Sequence, residues 1–161
     1  EHFLLRGDRV SLQVFGSRGR SHVPPASGRG HLRRILDVLA VIDPDTSRAD
    51  EVRAGRGAIP GDALAIMLSP LISPIALQRA VSIASHGLTV AVVDTLPDDV
   101  HADDDAATEL AWRIRLLERQ REVRSVQNVG VPVIAWRGPG SLDPFLREIA
   151  RRAAAPRMAR R

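Results

Sequence analysis

The chain has 161 residues, the size of one domain, and 44% of them are hydrophobic, so it can bury a sizeable core. Aromatic residues make up only 3% and cysteine is absent, which predicts an aliphatic core and excludes disulfides, cysteine zinc sites and thiol nucleophiles. All 23 basic residues are arginine and the net charge is only +4, so lysine general bases, Schiff-base lysines and a Walker-type phosphate loop are excluded.

The front of the chain predicts a hairpin followed by a helix. Residues 9–15 alternate apolar and polar side chains, the pattern of a strand, and residues 16–20 form a turn. Residues 21–24 predict a returning strand, which the prolines confine to a sheet edge. The helix that follows is expected to bury four apolar side chains, Leu32, Ile35, Leu36 and Leu39. A short helix is predicted over 48–53.

Three apolar runs then predict strands of a parallel sheet, over residues 63–69, 88–93 and 131–136. The first run is apolar almost without a break, so we expect that strand to be covered on both faces. A helical pattern follows each run. The first of these helices begins at a Ser-Pro pair, in which Ser73 caps and Pro74 opens the helix.

The three helices are expected to bury one apolar stripe each. The first buries Ile75, Leu77, Ala80, Val81 and Ile83 and ends at Gly87. The second covers 106–126, buries Leu110, Ile114 and Leu117, and exposes Arg119, Arg121 and Arg124. The third begins at the Asp143-Pro144 pair and buries Phe145, Leu146 and Ile149.

Strands that alternate with helices predict an α/β fold. We expect a three-layer, Rossmann-like sheet, mostly parallel, with helices on both faces and the front hairpin as an antiparallel edge. The expected domain covers residues 1–153, and residues 154–161 form a basic tail. No apolar run reaches the ~18 residues that a membrane span requires.

Ligands of such sheets bind at the carboxyl ends of the strands, which places candidate sites in the loops 16–20, 69–73, 94–99 and 137–141. The acidic cluster that begins at Asp94 suggests Mg²⁺ or Ca²⁺, but aspartate is also the usual residue at a helix start. The glycines at 16–19 and 28–30 complete neither nucleotide-binding pattern. No histidine pair has metal spacing and no serine lies in a nucleophile elbow.

A nucleic-acid module is a further alternative. Its arginines would have to cluster on one face among stacking aromatics, whereas here they are spread along the chain, so we expect no nucleic-acid partner. Trp112 and Trp136 are expected to pack in the core or at its rim, with a binding role as the alternative.

Several segments, in their order and spacing, resemble the C-terminal half of the domain-of-unknown-function 58 family, which is similar to von Willebrand factor A proteins. The segments are 7–16, 24–40, 65–71, 90–96, 115–119, 130–136 and 140–143. The resemblance implies a von Willebrand A-type sheet whose first central strand precedes this chain. We expect the loss of that ladder partner to make the chain less stable than the parent domain.

The resemblance also implies a role. Family members are associated with MoxR-type AAA+ ATPases and are thought to assist assembly, and many carry membrane helices upstream of this region. The location that the resemblance implies is therefore the cytoplasm, with a membrane tether before Glu1 as the alternative. The arginine-rich, lysine-free composition suggests an actinobacterial type.

The adhesion-site metal of von Willebrand A domains is not carried over. Its Asp-x-Ser-x-Ser loop is not in this sequence, and Thr46 is a poor counterpart of the second ligand. Pro70 occupies the position where the third ligand, an aspartate, is expected, and proline offers no side-chain oxygen. We therefore expect neither a metal nor a cofactor.

The leading hypothesis is a non-enzymatic interaction domain that works with a MoxR-type ATPase. Its candidate contacts are Arg18, Arg20 and Arg137, a basic fringe that suits an acidic protein surface. The alternative is a Rossmann-like, metal-dependent phosphohydrolase or nucleotide-binding domain that uses Asp94.

Overall fold

The computed structural model describes residues 2–15, 22–42, 59–101 and 105–154. The chain divides into two compact units, Glu1–Ala58 and Ile59–Arg161. The loop 16–20, the predicted helix over 48–53, Thr46 and the end of the basic tail lie outside the described residues. One domain over residues 1–153 remains a prediction.

The first unit consists of two helices and a hairpin. Its elements are α1 (His2–Leu5), β1 (Val10–Gln13), β2 (His22–Ala26) and α2 (Arg29–Ala40). The two strands pair antiparallel, with Leu12 opposite Val23 and a register shift between Val10 and Leu12, which confirms the predicted hairpin. Among the described strands, β1 and β2 form a two-stranded sheet.

The core of this unit joins α2 to the hairpin through Leu4, Val23 and Ile35. His31 is also buried, and its Nε2 donates a hydrogen bond to the Val10 carbonyl at 2.7 Å. The burial predicted for two other α2 residues is wrong, because Leu36 and Leu39 are largely exposed. Since the histidine finds an acceptor on β1, the buried line runs through residues 31, 35 and 38 instead.

The second unit contains the three predicted parallel strands, β3 (Leu64–Ser69), β4 (Thr89–Asp94) and β5 (Val133–Ala135), in the order β3-β4-β5. In the register of this sheet Ser69 lies opposite Asp94, and Asp94 lies opposite Ala135. The strands therefore end at one level. The helices are α3 (Pro74–Ser85), α4 (Ala106–Asn128) and α5 (Asp143–Ala154), so this unit is a mixed α/β structure.

The central strand β4 is buried on both faces. Val90 and Val92 pack in one cluster with Leu77 of α3 and Val126 of α4, while Ala91 and Val93, which alternate with them, are also fully buried. The first apolar run is covered less well than predicted, because β3 lies at the edge of the described sheet and Leu68 is exposed.

Helix α3 begins and ends where the sequence predicts. The Ser73 hydroxyl accepts a hydrogen bond from the Ile75 amide at 3.4 Å, and Gly87 adopts the positive φ that ends a helix. Leu77 is buried as expected. The burial predicted for Ile75, in the first turn of α3, is wrong, because this side chain is 38% exposed.

Helix α4 presents a different face from the predicted one. Leu110, Ile114 and Leu117 are exposed, and the inward line carries Arg119, which was predicted to be exposed. Arg121 and Arg124 are exposed as expected. The reason is that the sheet end offers a carboxylate and backbone carbonyls to this helix, and the inward Arg115 and Arg119 bind them.

The last helix follows the sequence prediction. Ile149 is buried, and Phe145 and Leu146 are partly buried. Within the described parts of the chain, no helix combines the length and the apolar character needed to cross a membrane.

Candidate functional site at the carboxyl ends of the strands

Three of the predicted loops meet at one edge of the parallel sheet. The Thr95 amide donates to the Ser69 carbonyl at 3.0 Å, and the Trp136 amide donates to the Asp94 carbonyl at 2.8 Å. We call this edge, formed by residues 69–73, 94–99 and 136–141, the carboxyl-end rim. The fourth predicted loop, which contains Arg18 and Arg20, lies outside the described residues.

Asp94 is held by two groups of the protein. One carboxylate oxygen accepts a hydrogen bond from the Leu96 amide at 3.1 Å, and the other forms an ion pair with Arg119. The two side chains are only 17% and 11% exposed. The Nε of Arg119 also donates to the Pro70 carbonyl at 3.1 Å, so one guanidinium connects α4 to the ends of β3 and β4.

Arg115 makes a second connection, one turn earlier in α4. Its Nε donates to the Ile72 carbonyl at 2.7 Å, and its terminal nitrogens contact Glu122 at 2.9 and 3.1 Å and Glu118 at 3.3 Å. The hydrogen bonds that the Glu122 carboxylate accepts from Arg115 raise the pKa of this arginine above its usual value. The charge of Arg115 is therefore balanced by two glutamates of α4, while its Nε hydrogen-bonds to the loop after β3.

The turn between the Pro70 and Ile72 carbonyls, which accept hydrogen bonds from Arg119 and Arg115, has a strained backbone. Leu71 has a φ of 55°, in the left-handed region, although it is fully buried. This conformation costs a non-glycine residue about 1–2 kcal/mol. The Ser69 hydroxyl accepts the Leu71 amide at 3.1 Å, and together with Arg115 and Arg119 it holds the turn in place.

The geometry of Asp94 suits a structural carboxylate. A nucleophile or metal ligand needs a carboxylate oxygen that faces a ligand, whereas both oxygens of Asp94 already accept hydrogen bonds from the chain. In the part of the chain that the structure describes, no three histidine or acidic side chains come together as a metal site would require. The position expected to hold the third metal ligand is Pro70, whose carbonyl accepts the Arg119 guanidinium.

The outer part of the rim is exposed. Trp136 is 48% exposed, and Arg137 pairs with Asp98 across the rim, with side chains 66% and 75% exposed. A pair this exposed is screened by water and contributes little to stability, so Arg137 is available to a partner. Ser141 organises the loop, since its hydroxyl accepts the Arg137 amide at 3.1 Å and donates to the Gly138 carbonyl at 2.7 Å.

Sequence reasoning found Asp94 and Arg137 but missed Arg115, Arg119 and Glu122. A signal was present, because a carboxylate at the buried end of a strand needs a cation, and two arginines four residues apart in the next helix can reach the same edge. Trp112 is half-buried, and its indole nitrogen donates to the Val100 carbonyl at 3.3 Å.

Comparison with known proteins gives one family. The sequence profile described as "Protein of unknown function DUF58" matches residues 3–124, about three quarters of the chain. No curated protein and no solved structure matches the chain significantly.

Proposed function

This chain belongs to the DUF58 family of proteins of unknown function, and we propose that it is a non-enzymatic protein-interaction domain. Its proposed role is that of an accessory or assembly factor for a MoxR-type AAA+ ATPase, the partner class that the family resemblance implies. The observation that supports an interaction role is that the rim has a charge-paired inner part and an exposed outer part. Asp94 is neutralised inside by Arg119, while Trp136 and Arg137 are exposed outside.

The exposed residue types favour a protein partner. Tryptophan and arginine dominate the energetics of protein interfaces, because they combine large contact areas with directed hydrogen bonds. Here they are neighbours in sequence, directly after β5, and the Trp136 amide is anchored on Asp94. A rigid strand end therefore presents both side chains, which lowers the entropy lost on binding. An acidic patch on the partner would complement Arg137.

A von Willebrand A-type arrangement, in a cytoplasmic and actinobacterial-type protein, is part of the same proposal. The parallel order β3-β4-β5 is compatible with it. An experimental structure of the full-length protein tests it. A structure in which the hairpin β1-β2 shares no sheet with β3, even through an intervening strand, would contradict it.

The interaction is tested by biolayer interferometry with a purified MoxR-type ATPase, in the presence and absence of ATP. We expect Trp136→Ala and Arg137→Glu each to weaken binding by about tenfold or more. The matched controls are Val129→Ala and Arg124→Glu, which change exposed residues near the end of α4, past the arginines that contact the rim, and should leave binding unchanged.

Two outcomes would contradict the proposal. The first is that the ATPase fails to bind, or binds all variants equally. The second is Mg²⁺-dependent turnover of a generic phosphoester that disappears in Asp94→Asn, since this would assign the rim to the alternative enzymatic function.

A further inference from the structure

Helix α4 carries three apolar residues on the side that faces solvent. Leu110, Ile114 and Leu117 are 58%, 49% and 60% exposed. They are separated by four and three residues, the spacing that aligns side chains on one face of a helix. We call these three residues the outer stripe.

The orientation of α4 is determined by its opposite face. Arg115 and Arg119 contact the rim, and Val126 lies in the core of the second unit. Turning the helix to bury the outer stripe would break the ion pair with Asp94 and leave its carboxylate buried without a cation, which is costly. Within the described residues of the second unit, the outer stripe is therefore left exposed.

The charges around the outer stripe have one predominant sign. Arg113 lies beside the stripe, and Arg121 and Arg124 continue its line towards the end of the helix, all three exposed. The acidic residues nearest to this face are Glu109, which precedes Leu110, and Glu118, which already contacts Arg115, so the three arginines outnumber them. The surface is thus an apolar stripe with a basic border.

We propose that the outer stripe binds an acidic amphipathic helix of a protein partner. An apolar line of three side chains over about two helical turns matches the i, i+3 or i+4, i+7 contacts that one helix makes with another. Acidic residues beside the apolar line of the partner would pair with the arginine border, and such pairs set orientation and specificity.

A second copy of this chain fits the surface less well. Antiparallel pairing through the outer stripe would bring the Arg113 side chains of the two copies together at its centre. Parallel pairing would place Arg121 and Arg124 against their own copies. Like charges that face each other oppose both arrangements.

An anionic membrane also attracts a basic amphipathic helix, but interfacial helices usually insert a longer apolar face with aromatic anchors. The outer stripe contains three aliphatic side chains and no aromatic one. A protein helix is therefore the better match. This proposal concerns a surface other than the rim and does not rest on the proposed ATPase partnership.

The test uses a designed peptide of about 20 residues, long enough to form a helix, with leucines on one face and glutamates along its borders. Binding to the whole chain is measured by fluorescence anisotropy at about 0.15 M salt. A peptide of the same composition in scrambled order controls for simple charge attraction. A peptide with lysine in place of glutamate tests the sign of the charge.

We expect the designed peptide to bind more tightly than both control peptides. The double variant Leu110→Ala/Leu117→Ala should weaken binding by about tenfold or more, since it removes two contact side chains. Alanine preserves helix propensity, and circular dichroism confirms that the variant folds. The matched control Leu68→Ala changes an equally exposed leucine outside α4 and should bind normally, as should Trp136→Ala in the rim.

Three results would overturn the proposal. The first is that the designed peptide binds no better than the scrambled or lysine peptide, or that the α4 variant binds it as well as the wild type does. The second is that sedimentation shows a dimer of the wild type that is absent in the α4 variant, which would assign the outer stripe to a second copy. The third is that vesicles of phosphatidylcholine with about 30% phosphatidylserine bind through the outer stripe whereas the peptide does not, which would assign the outer stripe to a membrane.

Discussion

Replacement of Arg119 by methionine tests whether the inward arginines determine how α4 packs. Methionine keeps the length of the aliphatic stem and removes the guanidinium. The variant loses the ion pair with Asp94 and the hydrogen bond to the Pro70 carbonyl. It also leaves the Asp94 carboxylate, which is only 17% exposed, with the Leu96 amide as its remaining donor among the described residues.

The size of the effect follows from the two lost contacts. Both contacts involve the charged guanidinium of Arg119, and a hydrogen bond to a charged group contributes about 1.5–3 kcal/mol. Some water reaches both side chains, so the loss falls below the full ~3–5 kcal/mol of a completely buried broken pair. We expect Arg119→Met to lower the free energy of unfolding by about 3 kcal/mol, and Tm by about 6–12 °C at ~2–4 °C per kcal/mol.

The assay is urea unfolding followed by tryptophan fluorescence, because both tryptophans of the chain lie in the second unit. Arg121→Met is the matched control, as it removes an exposed guanidinium from the same helix. Combining Arg119→Met with Asp94→Asn should give a coupling free energy of at least about 1 kcal/mol. If Arg119→Met costs no more than Arg121→Met, within about 0.5 kcal/mol, the reasoning is refuted.

Three further predictions concern the strained turn, the cap of α4 and the buried histidine. Because Leu71 has a positive φ, the Leu71→Gly variant should be at least as stable in urea unfolding as the Leu71→Ala variant, whereas glycine is ordinarily the less stable of the two. If Leu71→Gly is the less stable variant, the turn is unstrained. The pKa of Asp105 is lowered by the backbone amides that it caps, so its stabilisation is present above the ordinary aspartate pKa of about 3.9 and is lost as the pH falls through the lower folded value. The stability gap between wild type and Asp105→Ala should therefore be constant from pH 7 to about 5 and narrow in acid, and a gap that widens in acid would contradict this. His31→Ala should lower the free energy of unfolding of the first unit by about 1–3 kcal/mol, because it removes a buried side chain and leaves the Val10 carbonyl without this donor. Hydrogen exchange of the α2 amides measures this loss. An equal effect of His86→Ala, at an exposed site, would contradict the argument.

The candidate site could be predicted in part. The loops of the rim follow from the rule that ligand sites lie at the carboxyl ends of parallel strands, and the structure brings three of them together. The partner of Asp94 could not be read from the sequence with the same ease. Arg119 was predicted to be exposed because an isolated arginine on an amphipathic helix favours water, and only the nearby carboxylate reverses that preference.

The sequence by itself determined the local elements. Continuous apolar runs specified β3 and β4, a Ser-Pro pair specified the start of α3, and a capping aspartate specified the start of α4. These signals act within a few residues, through backbone hydrogen bonds, caps and apolar spacing, so no distant contact is needed to read them.

Only the tertiary structure decided which faces of α2 and α4 are buried. Helix α4 has apolar residues on two lines, one through Leu110 and Ile114 and the other through Val123 and Val126, and spacing alone does not choose between them. The choice depends on polar groups far away in sequence, Asp94 and the carbonyls after β3 for α4, and the Val10 carbonyl for His31 of α2. A buried acceptor without a donor costs more than an exposed leucine, so the helix turns its charged line inward and leaves the outer stripe in solvent.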